Sequence, residues 1–254
     1  MTNPRESITP WWMPEELSAH ELRVRSGESP DANDVKNDFA SYKALRSGLD
    51  PLASGLFLHN EWELWRIDTM CRDYAAIVRA CRGRDPHTVA DLGCGAGFTT
   101  GGLQRAWPLA KVTGLEVSFD AVQFARGNWP TCMFVDGAIK PSQLLVGSPF
   151  DLLLCQEFYP FTRTGSIADH REWLLCLLNN MSNGGLAIIM VAANTYDSIN
   201  DTYAELRREF TLHRVQVAVP RISRRLPLVV SRVVAMLLRD VRPGWVRNLY
   251  VLQH

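Results

Sequence analysis

The sequence lacks the devices that hold a small or secreted protein together. Its six cysteines (Cys71, Cys81, Cys94, Cys132, Cys155 and Cys176) form no Cys-x-x-Cys pair, and none stands near a histidine at finger-like spacing. A zinc ribbon or a disulfide framework needs such clustering, so neither is expected. Several of these cysteines instead lie in apolar runs, where the thiol acts as a small hydrophobe. The chain also lacks a charge imbalance: Lys plus Arg total 27 and Asp plus Glu total 27. Nothing global draws it to polyanions, and no nucleic-acid partner is expected. There is no repeat of fixed period and no low-complexity tract. The opening residues, with Pro4, Arg5, Glu6 and Pro10, lack the apolar stretch of a secretory signal. The most apolar late segment, Leu226 to Leu238, is interrupted by Arg232 and is too short to span a bilayer. A soluble, cytoplasmic protein is the expectation.

What the chain does have is ordinary globular composition, 46% hydrophobic and 21% charged over 254 residues. That length can bury a core without staples. Residues 1–84 read as a helical extension or lid. The first fifty hold nine acids and six bases, with loop signals at Pro30 and Gly48. Apolar residues from Asn60 to Cys81, including Trp62, Trp65, Tyr74, Ile77 and Val78, follow helical spacing and predict an amphipathic helix into the main domain. Residues 85–254 read as that domain. Short apolar runs at Thr88–Gly93, Ala110–Glu116, Cys132–Asp136, Phe150–Gln156 and Gly185–Ala192 alternate with helical stretches at Gly97–Trp107, Ser118–Asn128 and Asp169–Met181. Ser118 is placed to cap the second of these. Strands separated by helices of this length predict an α/β fold with a parallel sheet.

The segment Val89-Ala90-Asp91-Leu92-Gly93-Cys94-Gly95-Ala96-Gly97-Phe98 ends a predicted strand and opens a predicted helix. Glycines there let the backbone turn tightly and approach a ligand closely. The Gly-x-Gly-x-Gly spacing differs from the dinucleotide fingerprint, whose third glycine comes one residue later. Glu116 ends the second strand, where a carboxylate can accept from both hydroxyls of a ribose. Asp136 ends the third and can accept from an adenine amino group.

In these residues the chain resembles the class I S-adenosylmethionine-dependent methyltransferases, from Thr88 to about Ala192. Phe150-Asp151-Leu152-Leu153-Leu154-Cys155-Gln156-Glu157 resembles the family's fourth motif, and Asn183-Gly184-Gly185 its turn into the fifth strand. The resemblance implies a Rossmann-like, seven-stranded, mostly parallel sheet with helices on both faces, His213–Val219 and Asn248–Leu252 being the last two strands. It implies S-adenosylmethionine as donor, S-adenosylhomocysteine as product, and transfer to an oxygen or nitrogen of a small-molecule acceptor of anionic, sugar or natural-product type. Asp91 and the Gly93, Cys94, Gly95 and Gly97 loop would cradle the amino-acid end of the donor. Glu116 would hold the ribose, Asp136 with the Gly137 and Ala138 backbone the adenine, and Gln156 would lie beside the methionine. A cofactor-binding protein without transfer activity and a nicotinamide-dependent reductase are the alternatives.

Candidate bases are Glu157, Tyr159 and His170 after the fourth strand, and His59 on the lid. For each there is a plainer role: a helix-end carboxylate, a packing ring, a surface histidine, a residue beside incidental tryptophans. The fourth motif is not the Pro-Pro-Tyr or Pro-Cys type of the nucleobase enzymes. Only Asp169 stands where a metal-assisted site would need several acids, so no metal is expected. Finally, residues 221–247 form a basic helical insertion with seven arginines and one acid, Asp240. It reads as a helix packed on the sheet with a solvated arginine face. A rim for a phosphorylated or carboxylated acceptor and weak contact with a membrane surface are the other readings.

Overall fold

The computed structural model describes residues 61–117, 119–223 and 226–254. The amphipathic pattern before the main domain forms helix α1, Glu61–Arg82. It buries Ile67, Met70, Cys71, Tyr74, Ile77 and Val78, a stripe at helical spacing. Then follow β1 (Thr88–Leu92), α2 (Phe98–Ala106), β2 (Lys111–Glu116), α3 (Phe119–Asn128), β3 (Met133–Asp136) and β4 (Phe150–Gln156). A short helix α4 (Tyr159–Thr162) precedes α5 (Ile167–Asn180), β5 (Met181–Ala192), α6 (Ile199–Leu206) and β6 (Leu212–Ala218). The chain ends with α7 (Pro220–Ser223), α8 (Leu228–Leu238), a 3₁₀ turn (Pro243–Trp245) and β7 (Val246–Gln253).

The seven strands form one sheet in the order β3-β2-β1-β4-β5-β7-β6, with β7 antiparallel to both neighbours and the other pairings parallel. Side chains alternate between two apolar layers. Leu152, Leu154, Ile188, Met190, Leu249 and Val251 face α1 and α2. Leu153, Cys155, Ile189, Val191, Tyr250 and Leu252 face α5 and α6. Both faces are covered, which is why β4 and β5 read as nearly unbroken apolar runs.

Three boundaries differ from the sequence expectation. Helix α5 starts two residues early because the Ser166 hydroxyl accepts the Asp169 N–H at 3.2 Å and caps it. The Asn-Gly-Gly turn lies inside β5, as a register irregularity against β4 with Gly184 at φ +70°. The basic insertion needs the larger correction. It holds two helices, α7 and α8, and Arg247 belongs to β7, buried. Helix α8 packs through Ser231 and Ala235, and Val229, Val233, Met236 and Leu237 face outward beside Arg232. Its solvent side is therefore largely apolar where an arginine face was expected. The Ser118 cap, His59 and the first sixty residues lie outside the described residues.

Helix α1 is fastened to the amino end of the sheet by Asp151. Its Oδ1 accepts from Arg82 Nη2 and Ser182 Oγ, each at 2.8 Å, and its Oδ2 accepts the His87 N–H at 2.7 Å. Burial alone would raise this carboxyl; the three donors outweigh it and hold it at about 2. A lowered carboxylate contributes stability above its ordinary value near 3.8, and that contribution is lost as pH falls toward 2. Asp151→Asn is expected to lower unfolding free energy by about 1–3 kcal/mol at pH 7. The deficit should shrink between pH 4 and pH 2, as urea unfolding of both proteins at several pH values would show.

Candidate active site

Every sequence-predicted donor residue lies at the carboxyl ends of β1, β2, β3 and β4, around the turn that leaves β1. Gly93, Gly95 and Gly97 adopt φ of +70°, +54° and +79°, values side-chain-bearing residues rarely adopt. The turn is pinned from β2, because the Gly93 and Cys94 N–H groups both donate to the Leu115 carbonyl, at 2.8 and 3.1 Å. A Cβ on Gly93 would stand 2.8 Å from the Phe158 ring, so the loop after β4 closes directly on the glycine turn. Helix α2 opens at Gly97 with no side-chain cap. Its first N–H groups therefore favour an anionic group.

Asp91 is buried at the end of β1 and accepts the Thr100 hydroxyl at 2.7 Å. Burial pushes its carboxyl up to about 7, the Thr100 bond pulls it down, and Glu116 nearby adds to the rise. Glu116 is 2% exposed, and its Oε2 accepts the Gly95 N–H at 2.9 Å. Gln156, at the end of β4, accepts the Tyr74 hydroxyl on Oε1 at 3.0 Å, so α1 reaches the carboxyl end of β4. Cys94 is buried, and burial raises its thiol. It packs under the turn with Phe134.

At β3 the structure modifies the expectation. The Gly137 N–H donates to the Glu116 carbonyl at 3.0 Å, so it is already taken within the protein. Asp136 is exposed and lies 3.3 Å from Arg126 Nη2.

The family model described as a methyltransferase domain matches residues 89–174. Trans-aconitate 2-methyltransferase of Escherichia coli K12 is 46% identical over 106 residues, 42% of this chain and 39% of that protein. The enzyme of that name from Rhodopseudomonas palustris is 30% identical over 110 residues, 43% of this chain and 40% of that protein. The match thus spans about two-fifths of these relatives' length. Among solved structures, the plantazolicin methyltransferase BpumL, in complex with a pentazolic desmethylPZN analog and SAH, superposes with a TM-score of 0.54 at 16% identity, covering 94% of this chain and 99% of that one. A TehB-like SAM-dependent methyltransferase from Corynebacterium glutamicum gives 0.52 at 16% identity, covering 84% and 97%. These last two speak for the fold.

Over residues 89–174 the chain resembles methyltransferase domains, and S-adenosylmethionine-dependent methyltransferases share its fold. S-adenosylmethionine, the donor of such enzymes, suits the residues present: an uncapped helix N-terminus for a carboxylate, a glycine turn open to close approach and a buried acid ending β2. Among the described residues no group of three His, Cys, Asp or Glu is arranged to hold a metal ion.

The proposed bases are less well placed for proton transfer. His170 is fully enclosed: its Nδ1 lies 2.7 Å from Thr202 Oγ1 and its ring stacks on Phe161. Burial lowers its pKa, and at 0% exposure it cannot meet an acceptor, so its place is in the core between α5 and α6. Tyr159 lies under the Arg163 guanidinium, 6.0 Å from ring centroid to carbon. Glu157, just after β4, has strained backbone, at φ +50°. Crowding raises its carboxyl, against the Ala192 N–H and Arg163, and its exposure to water tempers the rise.

Sequence reasoning missed Tyr74 and its neighbour Asp73. The visible signal was a polar pair inside the buried stripe of an amphipathic helix.

Because Asp91 binds its proton more tightly in the fold than in the open chain, the native state holds more protons between about pH 4 and pH 7. Stability linked to this group therefore falls as pH rises through that window. Asp91→Asn is expected to flatten the decline by up to about 1.4 kcal/mol per pH unit. Thermal unfolding of both proteins at pH 4.5, 6 and 7.5 measures it; equal slopes would remove the assignment.

Proposed function

We propose that this protein transfers the methyl group of S-adenosylmethionine to an oxygen of a small-molecule acceptor. The observation that carries the reading is the buried Glu116 carboxylate closing on the triple-glycine turn at the end of β1. When bound, the sulfonium supplies an electrophilic methyl group, so the protein's task is alignment. Positioning of this kind is worth about 7–11 kcal/mol. The N-terminus of α2 and the Gly93–Gly97 turn hold the amino-acid end, Glu116 binds the ribose hydroxyls, and Asp136 with Ala138 faces the adenine. Gln156, fixed by the Tyr74 hydroxyl, borders the methionine and shields the reacting side from water.

The surroundings of the candidate bases support an acceptor that needs little help in losing a proton. His170 is enclosed, Tyr159 sits under a guanidinium, and Glu157 faces Arg163. General-base assistance is worth about 10²–10⁴-fold for a neutral hydroxyl, whereas an oxygen that is already anionic needs none. The relatives' name, a methyltransferase of trans-aconitate, favours the same choice of oxygen over nitrogen.

Glu116→Ala is expected to weaken binding of S-adenosylmethionine at least tenfold, about 1.4 kcal/mol, with the fold intact by circular dichroism. Isothermal titration of donor into both proteins decides it. An unchanged dissociation constant removes Glu116 from the site.

A further inference from the structure

Helix α8 turns its small residues inward and its large apolar ones outward. Ser231 and Ala235 are buried, and the Ser231 hydroxyl accepts the Ala218 N–H of β6 at 3.2 Å. On the other side Val229, Met236 and Leu237 are 71%, 68% and 73% exposed, with Val230 and Val233 exposed between them. At about 3.6 residues per turn these five share one side of the helix. Past the helix end Val241 and Trp245 are exposed as well. A single exposed valine needs no account, whereas a contiguous apolar stripe marks a surface that something covers.

The charges beside the stripe select what covers it. Arg232 and Arg239 are exposed and stand seven positions apart, so both lie along one edge of it. Arg242 is also exposed and lies over the Trp245 ring, 5.5 Å from its centroid. Asp240 is the one acid from Leu226 to Arg247, and Arg239 already holds it, Nε to Oδ1 at 2.9 Å. Three more arginines, Arg221, Arg224 and Arg225, precede the helix in the chain. A second copy laid on the stripe about a twofold axis would bring these arginines against their own kind, which disfavours self-association. A bilayer with anionic headgroups meets both features at once. The valine, methionine and leucine side chains enter the boundary between headgroups and acyl chains, and the guanidinium groups reach the phosphates from its edge. Trp245 has the apolar ring and polar N–H of a residue that sits at such a boundary.

The contact is with one leaflet: α8 has 11 residues, and among the described residues no helix is long and apolar enough to cross a membrane. Helix α8 follows the carboxyl end of β6, where Ala218 pairs with Val246, and the next residue, Arg247, pairs with Ala192 at the end of β5. That is the end of the sheet at which the glycine turn leaves β1.

We propose that α8 docks this protein on an anionic lipid surface, with Val229, Val233, Met236 and Leu237 inserted and Arg232 and Arg239 on the headgroups. The docking stands apart from the methyltransferase reading and needs neither donor nor acceptor.

The test is co-flotation of the full chain with two kinds of vesicle, phosphatidylcholine alone and phosphatidylcholine with about 30% phosphatidylglycerol. The chain is expected to float with the anionic vesicles, about tenfold less with the neutral ones, and less with either in high salt. In V233Q/L237Q, partitioning to anionic vesicles should fall at least about tenfold, with circular dichroism unchanged because both side chains are exposed. R232Q/R239Q should lose the preference for anionic over neutral vesicles. L109Q, which alters a still more exposed leucine before β2 at the amino end of the sheet, should float as the parent does. A full chain that floats with neither vesicle, or equally with both, overturns the proposal. So does binding that survives in V233Q/L237Q, a preference that survives in R232Q/R239Q, or an equal loss in L109Q. A dimer in sedimentation velocity that dissociates in V233Q/L237Q while vesicles go unbound also overturns it, because the stripe then belongs to a second copy.

Discussion

The arrangement depends on how β1 ends. A parallel strand must hand its chain to a helix within a few residues while leaving a hollow that a ligand can enter. Here the Leu115 carbonyl of β2 takes two consecutive N–H groups of the turn, and three positive-φ glycines carry the backbone around without side chains. Asp91 fixes the base of the turn to α2 through Thr100, and Glu116 fixes its crest through Gly95. Two acids that would repel each other in water are thus held close by the turn they bracket, and burial raises Asp91 accordingly.

From that point the crevice is built by elements far apart in sequence. Phe158, packed on Gly93 and edge-on to Trp173, brings the loop after β4 down on the turn. Tyr74 brings α1 to Gln156 across 82 residues, and Arg247 brings β7 to the next residue of that helix across 174. Helix α1 thus covers the sheet and meets the end of β4, fastened by Asp151 at one end and by Asp73 and Tyr74 nearer the other.

The sheet and the glycine turn with its flanking acids were largely legible in the sequence, because they follow from local rules. Strand period, glycines at a strand-to-helix turn and an acid ending each early strand need only neighbouring residues to interpret. What was not legible depends on contacts between distant segments. Nothing local says that Arg247, counted among solvated arginines, begins a strand and meets a carboxylate on α1. Nothing local marks His170 as enclosed, since a polar residue in the first turn of a helix usually faces water. The outward side of α8 misled for a related reason: its two small residues, Ser231 and Ala235, are the ones that pack, so its larger apolar residues are left outside.

The central claim is that a nucleoside sulfonium binds over the turn between β1 and α2. The measurement that reaches it most directly is a crystal structure of the protein grown with S-adenosylhomocysteine. The account predicts the ribose hydroxyls on the Glu116 carboxylate, the amino-acid end over Gly93 to Gly97, and the sulfur facing the side of the crevice lined by Gln156 and Tyr74. A nucleoside bound away from Glu116, or a crevice that takes a nicotinamide dinucleotide in its place, would contradict it.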